Sequence, residues 1–221
     1  MNSFPTSLCS RDRWSNFGVR GLLACCFVWS VAASAALAEP AEAADLDADP
    51  DLMGWWKFDD ASGTTATDSS QHDRNGELMG DLAFDRNSVS GPVGKALQLD
   101  NREDFVQITG YKGVTGTKPR TISVWIKTEA AGGEIVSWGK NDFGSMWQFK
   151  FIRGRVGVTP KGGYYYMADR VDDKAWHHVA VVMREAELPN LHDDVTLYLD
   201  GKVAEVHRIG LLDLWPIETG A

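Results

Sequence analysis

Hydrophobic positions in this chain come in short runs separated by turn-forming residues, and no stretch shows a sustained helical period of about 3.6 residues. The runs are rich in β-branched and aromatic residues and are bounded by Gly, Asn or Asp, which is typical of strands joined by turns. We expect one crossing of a sheet at each of residues 52–59, 96–100, 104–110, 120–128 and 134–139. Helix is expected to be nearly absent.

Two longer stretches each predict a hairpin. The sequence SMWQFKFIRGRVGVTP is expected to turn at Arg153 and Gly154, and DVTLYLDGKVAEVH at Asp200 and Gly201. An Asp-Gly pair accepts the positive φ angles that a tight hairpin turn requires. Many short strands joined by short turns predict an all-β fold, either a two-sheet sandwich or a barrel.

A further strand is predicted at residues 173–185, DKAWHHVAVVMRE, where two histidines stand side by side. Because successive strand residues point to opposite faces, His177 and His178 cannot hold one metal ion together. No Asp or Glu lies within two residues on the same strand face to orient either ring as a base. We therefore expect both histidines to be structural, with partners for their buried ring nitrogens.

The beginning of the sequence has the order of a signal peptide, which we place at residues 1–38. Arg11, Arg13 and Arg20 precede an apolar run that ends in Ala36-Leu37-Ala38, the small-residue pattern of a cleavage site. The alternative is a membrane anchor, since the run approaches the length of about 18 residues that spans a bilayer. The small residues favour cleavage, so we expect a secreted, periplasmic or cell-surface protein with no membrane span after processing.

Residues 39–51 are Ala, Asp, Glu and Pro with almost nothing to bury, which predicts an acidic linker before a folded domain at residues 52–221. The three cysteines, Cys9, Cys25 and Cys26, all lie in the leader, so no disulfide is expected in the mature chain. The formal net charge of -9, without clusters of Lys or Arg, argues against nucleic acid as a partner.

Six stretches of the chain resemble, in order, the successive blocks of the laminin G-like jelly-roll domains of the concanavalin A-like lectin/glucanase superfamily, of the bacterial secreted type. They read GWWKFDDASGTTATDSSQHDRNGEL, GKALQLDNREDFVQI, RTISVWIKT, IVSWG, AWHHVAVV and VTLYLDGKVAE. The resemblance implies a jelly-roll sandwich of two antiparallel sheets, usually a binding or adhesion module and often one that carries calcium. Members usually finish with a strand that bears an Asp-Asp pair and a Tyr, whereas this sequence ends in LLDLWPIETGA. We therefore expect a domain that is incomplete at its C-terminus and lacks its last strand or strands.

Two oxygen-rich turns are candidate calcium sites, because Ca²⁺ takes six to eight oxygen ligands and accepts them from flexible loops. The candidate ligands are Asp68, Asp73 and Asn75 in the first turn, and Asp100, Asn101 and Asp104 in the second. The alternative for the first turn is that its side chains bond their own backbone. For the second turn, ligands from the segment that the sequence lacks would be missing.

Carbohydrate recognition needs aromatic faces beside polar groups, and candidates lie in two neighbouring predicted strands. They are Trp147, Tyr164, Tyr165 and Tyr166. If the stretch KGGYYYMADR is extended, Tyr164 and Tyr166 share one side and Tyr165 takes the other. The alternative is that these rings fill the sandwich.

Catalytic patterns are absent from the sequence. Glucanases of the superfamily carry carboxylates in the order E-x-D-x-x-E, and no Glu here starts that pattern. Glu185 and Glu187 come closest, but Pro189 follows them and favours a loop. We expect an exported, non-catalytic module that binds a glycan or a surface protein, with calcium as its candidate cofactor. The alternatives are a structural or protein-interaction spacer of a larger surface protein and a truncated relative of the glycoside hydrolases.

Overall fold

A computed structural model describes residues 48–100 and 102–220, and in these residues the chain forms short antiparallel strands and two four-residue helices. The helices are α1 (Phe84–Asn87) and α2 (Leu191–Asp194). The strands are β1 (Thr65–Ala66), β2 (Gly76–Met79), β3 (Ser88–Ser90), β4 (Lys95–Leu97), β5 (Phe105–Ile108), β6 (Arg120–Lys127), β7 (Gly132–Gly139), β8 (Met146–Ile152), β9 (Arg155–Thr159), β10 (Gly163–Met167), β11 (Trp176–Met183), β12 (Val195–Leu199), β13 (Lys202–Val203) and β14 (Val206–Asp213).

Two larger sheets form the body of the fold. One has five strands in the order β14-β10-β9-β8-β7, and the other has four in the order β13-β12-β11-β6. A three-stranded sheet, β1-β2-β5, and the hairpin β3-β4 complete the described strands. Every strand pair is antiparallel. The expected all-β, antiparallel jelly-roll sandwich is confirmed.

The core lies between the five-stranded and four-stranded sheets, which meet through alternate residues of their strands. On β8, Trp147 and Phe149 are fully buried, whereas Gln148 and Lys150 point away from the core and are only half-buried. Strands β11 and β12 supply Val and Leu side chains to the same core. We call the face of each sheet that contacts this core its inner face, and the opposite face its outer face.

Most of the predicted local elements are confirmed. The crossings predicted at residues 104–110, 120–128 and 134–139 are β5, β6 and β7. Both hairpins turn where expected, with positive φ angles at Arg153 (56°) and Gly154 (77°), and at Asp200 (49°) and Gly201 (77°). These elements follow from local sequence because a turn's φ requirements and the alternation of a strand are satisfied within a few residues.

The strand predicted at residues 52–59 is wrong. Within it only Trp56 forms a β-bridge, an isolated one with Asp68. The segment is held through other contacts, since Trp55 N donates to Asp68 Oδ1 at 2.8 Å and Trp56 Nε1 donates to Arg74 O at 2.8 Å. A strand requires a neighbour that supplies a row of hydrogen bonds, and here the described residues supply one position.

The segment after β13 contributes structure that the sequence analysis did not predict. Strand β14 pairs with β10 at the edge of the five-stranded sheet. Beyond it, Ile217 is fully buried, and Thr219 forms a β-bridge with Gly116. These contacts do not test whether the domain lacks a further strand, so that expectation stays a prediction.

Arg120, the first residue of β6, is buried and anchors the segment that follows β14. Its guanidinium donates to the carbonyl oxygens of Val114 and Gly116 at 2.7 Å each and to the Thr219 hydroxyl at 2.8 Å. It also lies 5.1 Å from the centre of the Trp147 ring. Burial lowers the pKa of Arg120 to about 10, so the side chain is still charged at neutral pH.

We expect Arg120→Met to lower the free energy of unfolding by about 1–3 kcal/mol, because it leaves partly buried carbonyl groups without their donor. Urea unfolding measures the change. Arg102→Met is the matched control, since Arg102 is exposed and its replacement should stay within about 0.5 kcal/mol of the parent. Equal losses in the two variants would contradict the anchoring role.

Candidate functional site

The outer face of the five-stranded sheet carries two rows of side chains that run across neighbouring strands. The first row follows the register Glu134, Lys150, Gly157 and Tyr166. The second follows Ser137, Gln148 and Thr159. Tyr164 of β10 lies on the same face, opposite Leu212 of β14. Polar residues occupy the β7 and β8 side of this face, and aromatic residues occupy the β10 side.

The polar side is a hydrogen-bonded cluster around Glu134. Its carboxylate accepts from the Ser137 hydroxyl at 2.7 Å and from the Gln148 amide at 2.6 Å. The Lys150 ammonium lies 4.0 Å from the same carboxylate. A carboxylate, an amide, a hydroxyl and an ammonium are thus held on one exposed surface, which offers both donors and acceptors to a ligand.

The aromatic side is built by Tyr164 and Tyr166, whose ring centroids lie 5.6 Å apart at an interplanar angle of 30°. His207 of β14 stacks on Tyr166 with centroids 5.2 Å apart. The two tyrosines, with Ile152 and Arg153, line a shallow hollow of about 220 Å³. Tyr164 is half-buried and Tyr166 is only 4% exposed, so Tyr164 offers the accessible ring surface and Tyr166 supports it from below.

Gly157 separates the polar and aromatic sides in the first row. A Cβ at this position would lie 2.4 Å from both Tyr165 O and Tyr166 Cβ, so no side chain fits there. Gly157 is buried, and Tyr166 lies against it where a larger residue would collide. The polar and aromatic sides therefore adjoin in this row without an intervening side chain.

Of the four aromatic candidates, two reach this face. Trp147 is fully buried on the inner face, so its prediction as a ligand-binding residue is wrong. Tyr165 packs against the same core, and its burial raises the pKa of its hydroxyl. The physical reason is alternation: Tyr165 shares its side of β10 with the buried Met167, which leaves Tyr164 and Tyr166 on the outer face.

The first predicted calcium turn is organised by its own hydrogen bonds. Asp68 Oδ1 accepts from the amides of Trp55 and Ser70, and Oδ2 accepts from the Ser70 hydroxyl and the Arg74 amide, all at 2.8–2.9 Å. Burial alone would raise the pKa of Asp68, but these hydrogen bonds outweigh it and lower the pKa.

The remaining candidates in this turn are a hydrogen-bonded amide and an exposed carboxylate. The Asn75 side-chain oxygen accepts from Asp68 N at 2.9 Å, and Asp73 is an exposed turn residue with φ 51°. A cation would have to displace bonds that define the turn. These bonds favour the Asx-turn alternative, and calcium at Asp68, Asp73 and Asn75 stays a prediction.

The second predicted calcium turn is more open. Asp104 Oδ2 accepts from Asp100 N at 2.9 Å, and Asp100 Oδ1 accepts from Gln98 at 2.7 Å. Asn101 lies outside the described residues. Among the residues that are described, no group of three or more His, Cys, Asp or Glu side chains could hold a metal ion. Calcium at this turn stays a prediction.

The adjacent histidines point to opposite sides of β11, as expected, and each ring has partners. His178 Nε2 lies 2.7 Å from the Ser123 hydroxyl on the outer face of β6. His177 lies between two carboxylates, with Nδ1 3.0 Å from Asp200 Oδ2 and Nε2 3.2 Å from Asp173 Oδ1. Sequence reasoning missed these acids, because one precedes the strand and the other comes from the β12–β13 turn.

These contacts shift the pKa of His177 upward. The hydrogen bond to Asp200 has the largest effect, burial opposes it, and Asp173 adds to it. With a carboxylate at each nitrogen, only the protonated ring donates to both. The pKa of Asp200 is lowered in turn, first by its hydrogen bond with His177.

Sequence reasoning also missed two exposed aromatic residues. Phe143 lies in the turn between β7 and β8, and Trp215 follows β14. Their rings stack with centroids 5.4 Å apart at 21°, although 72 positions separate them in the chain. The only sequence signal was a bulky ring set among turn formers, in NDFGS and in DLWPI.

A laminin G-like family model, described as the concanavalin A-like lectin/glucanases superfamily, matches residues 100–216, more than half of the chain. The matched residues contain every strand of the five-stranded and four-stranded sheets. A comparison with curated proteins finds no significant match. Within residues 48–100 and 102–220, no helix is long and apolar enough to cross a membrane.

We expect the His177 contacts to stabilise the fold most between the ordinary pKa values of Asp, 3.8, and His, 6.5. A raised histidine pKa gives stability that is complete below pH 6.5 and is lost as the pH rises through the folded-state value. Titration of the ring by NMR and melting curves from pH 5 to pH 8 measure both effects.

Asp200→Asn should lower the pKa of His177 and reduce the change in melting temperature between pH 5 and pH 8. The control is Asp193→Asn, which removes the partner of the exposed His192 and leaves His177 unchanged. A pKa of His177 at or below 6.5 in the parent protein would contradict the assignment.

If the second turn binds calcium in the folded state only, millimolar calcium raises the melting temperature. The free energy of unfolding rises by about 2.7 kcal/mol when calcium is about a hundred times its dissociation constant. Magnesium should do less, because it demands near-octahedral geometry and holds its water tightly. Asp100→Asn should abolish the stabilisation by calcium, whereas Asp68→Asn should lower the stability of the protein but preserve the stabilisation by calcium. Identical melting curves in chelator, calcium and magnesium would contradict calcium binding.

Proposed function

The chain belongs to the concanavalin A-like lectin/glucanases superfamily, and we propose that it is an exported, non-catalytic module that binds carbohydrate on the outer face of its five-stranded sheet. The observation that carries the proposal is the Tyr164–Tyr166 pair beside the polar cluster of Glu134, Gln148 and Lys150. Export rests on the predicted signal peptide at residues 1–38, which lies outside the described residues.

Sugar rings present an apolar C–H face and a rim of hydroxyl groups, so they require aromatic surface and hydrogen-bonding groups side by side. Tyrosine supplies an apolar ring with a polar tip. The polar cluster supplies a carboxylate that accepts from hydroxyls and an ammonium and an amide that donate to them. No side chain stands between the two sides at Gly157, so one sugar ring can contact both.

The same rows support the non-catalytic part of the proposal. A retaining glycosidase needs two carboxyl groups about 5–5.5 Å apart, one as nucleophile and one as general acid. Among the residues of the two rows, Glu134 is the single carboxylate, and its neighbours are Ser137, Gln148 and Lys150. Its hydrogen bonds suit a structural or ligand-positioning role better than acid catalysis.

A protein-interaction or spacer module is the second candidate. The observation that favours it is the outer face of the four-stranded sheet, where Trp125 is 44% exposed and Val203 is 66% exposed. Exposed apolar surface of this kind suits contact with another protein. Binding to a soluble glycan array separates the two candidates, because a spacer would bind none of the glycans.

The array should be probed with protein secreted by its own leader, and N-terminal sequencing of that protein should give a start near Glu39. An intact Met1 in the membrane fraction would contradict export. For the glycans that bind the parent protein, we expect Tyr164→Ala to weaken binding by about tenfold, because it removes the more exposed of the two tyrosine rings.

Tyr198→Ala is the matched control, since Tyr198 is a half-buried tyrosine on the outer face of the other sheet. It should bind as the parent does, and both variants should stay folded in melting curves. A Tyr164→Ala protein with unchanged affinity would move the site elsewhere, and an array without any binding would overturn the proposed function.

A further inference from the structure

The Phe143–Trp215 pair belongs to an exposed apolar strip along one side of the five-stranded sheet. Phe143 is 55% exposed and Trp215 47%, while Leu212 and Leu214, which precede Trp215 in the chain, are 40% and 62% exposed. Large apolar side chains that adjoin one another on the surface of a soluble protein commonly mark an interaction site. Neither ring belongs to the core clusters, so burial in the core does not account for their position.

The pair is held in place by three segments that are bonded to one another. Gly144 N donates to Lys161 O at 2.9 Å, and Glu218 N donates to Gly144 O at 2.9 Å. A Cβ at Gly162 would lie 2.3 Å from Trp215 Cδ1 and 2.6 Å from Phe143 Cδ1, so both rings rest on a glycine. Rings that are already positioned lose little freedom when a ligand binds.

The pair lies next to the aromatic side of the proposed carbohydrate site. Gly162, on which it rests, is two residues before Tyr164, a separation of about 7 Å along an extended chain. Leu212 is the strand partner of Tyr164, and Trp215 follows it by three residues. Ring contact, register and chain order thus place Tyr166, Tyr164, Leu212 and Trp215 in succession, and we call this set the apolar track.

Polar groups surround this end of the track. The Lys161 ammonium lies 5.4 Å from the Phe143 ring and donates to Asn141 O at 2.6 Å. Asp142 Oδ1 accepts from Phe143 N at 2.8 Å. The balance of one cation and one carboxylate beside an exposed ring resembles the chemistry of the first site and favours the same kind of ligand.

Resting on the proposed function, we infer that Phe143 and Trp215 form a second aromatic subsite for the linear carbohydrate chain that binds at Tyr164. A single sugar fills one subsite, whereas an oligosaccharide of several units reaches both. Affinity then rises with chain length until both subsites are filled, because the second contact is intramolecular. The preferred substrate class is an extended polysaccharide rather than a terminal sugar.

The test uses defined oligosaccharides of one to six units from cellulose, xylan, chitin and alginate, titrated calorimetrically into the mature chain. For the series that binds, we expect affinity to rise about tenfold or more between the shortest binder and the hexasaccharide. Trp215→Ala and Phe143→Ala should remove this rise and leave the affinity for the shortest binder unchanged. Tyr164→Ala should weaken binding at every length.

Leu188→Ala is the control, because Leu188 is 69% exposed and lies outside the track. It should keep the full length dependence. Two substitutions on separate segments guard against local misfolding, and each variant's melting temperature is compared with the parent's. Binding that does not depend on length, or that survives both aromatic substitutions, would overturn this inference and leave the proposed function standing. Failure of all four series to bind the parent protein would overturn both.

Discussion

Burial of alternate residues between the two large sheets is the constraint on which the rest of this structure depends. Once Trp147 and Phe149 of β8 enter the core, Gln148 and Lys150 must face solvent, since neighbouring strand residues point in opposite directions. The same parity on β10 buries Met167 and presents Tyr164 and Tyr166. The packing that stabilises the sandwich therefore also selects the side chains that a ligand can meet.

Side-chain hydrogen bonds and close backbone contacts hold the segments at the edges of the sheets. Arg120 joins β6 to Gly116 and Thr219, so the segment after β14 is tied to the core rather than left loose. Glycines at 157 and 162 allow strands and rings to approach where a Cβ would collide. A surface supported in this way is pre-organised, which lowers the entropy that binding must offset.

The family gives a fold on which binding and catalysis both occur, so the site decides between them. In the two rows on the outer face of the five-stranded sheet, a single carboxylate in a hydrogen-bonded cluster lies beside a tilted pair of tyrosine rings. This combination suits recognition of a polar ring better than cleavage of a glycosidic bond, which needs a second acid. The exposed Phe143 and Trp215 extend the same kind of surface beyond the sheet.

The sequence by itself determined the elements whose physics is local. Alternation identified β6 and β11, the positive φ angles at Asp200 and Gly201 marked a hairpin, and the order of the blocks identified the family. Alternation also placed Tyr164 and Tyr165 on opposite faces, but it could not say which face is inner, because that depends on the sheet packed against it.

Only the tertiary structure decided the contacts between distant segments. It joined His177 to acids from two separate turns, stacked Phe143 on Trp215, and left residues 52–59 with a single bridge instead of a strand. Each of these depends on a partner far away in the chain. Local propensity and spacing do not specify such partners, since each partner is determined by the packing of the whole domain.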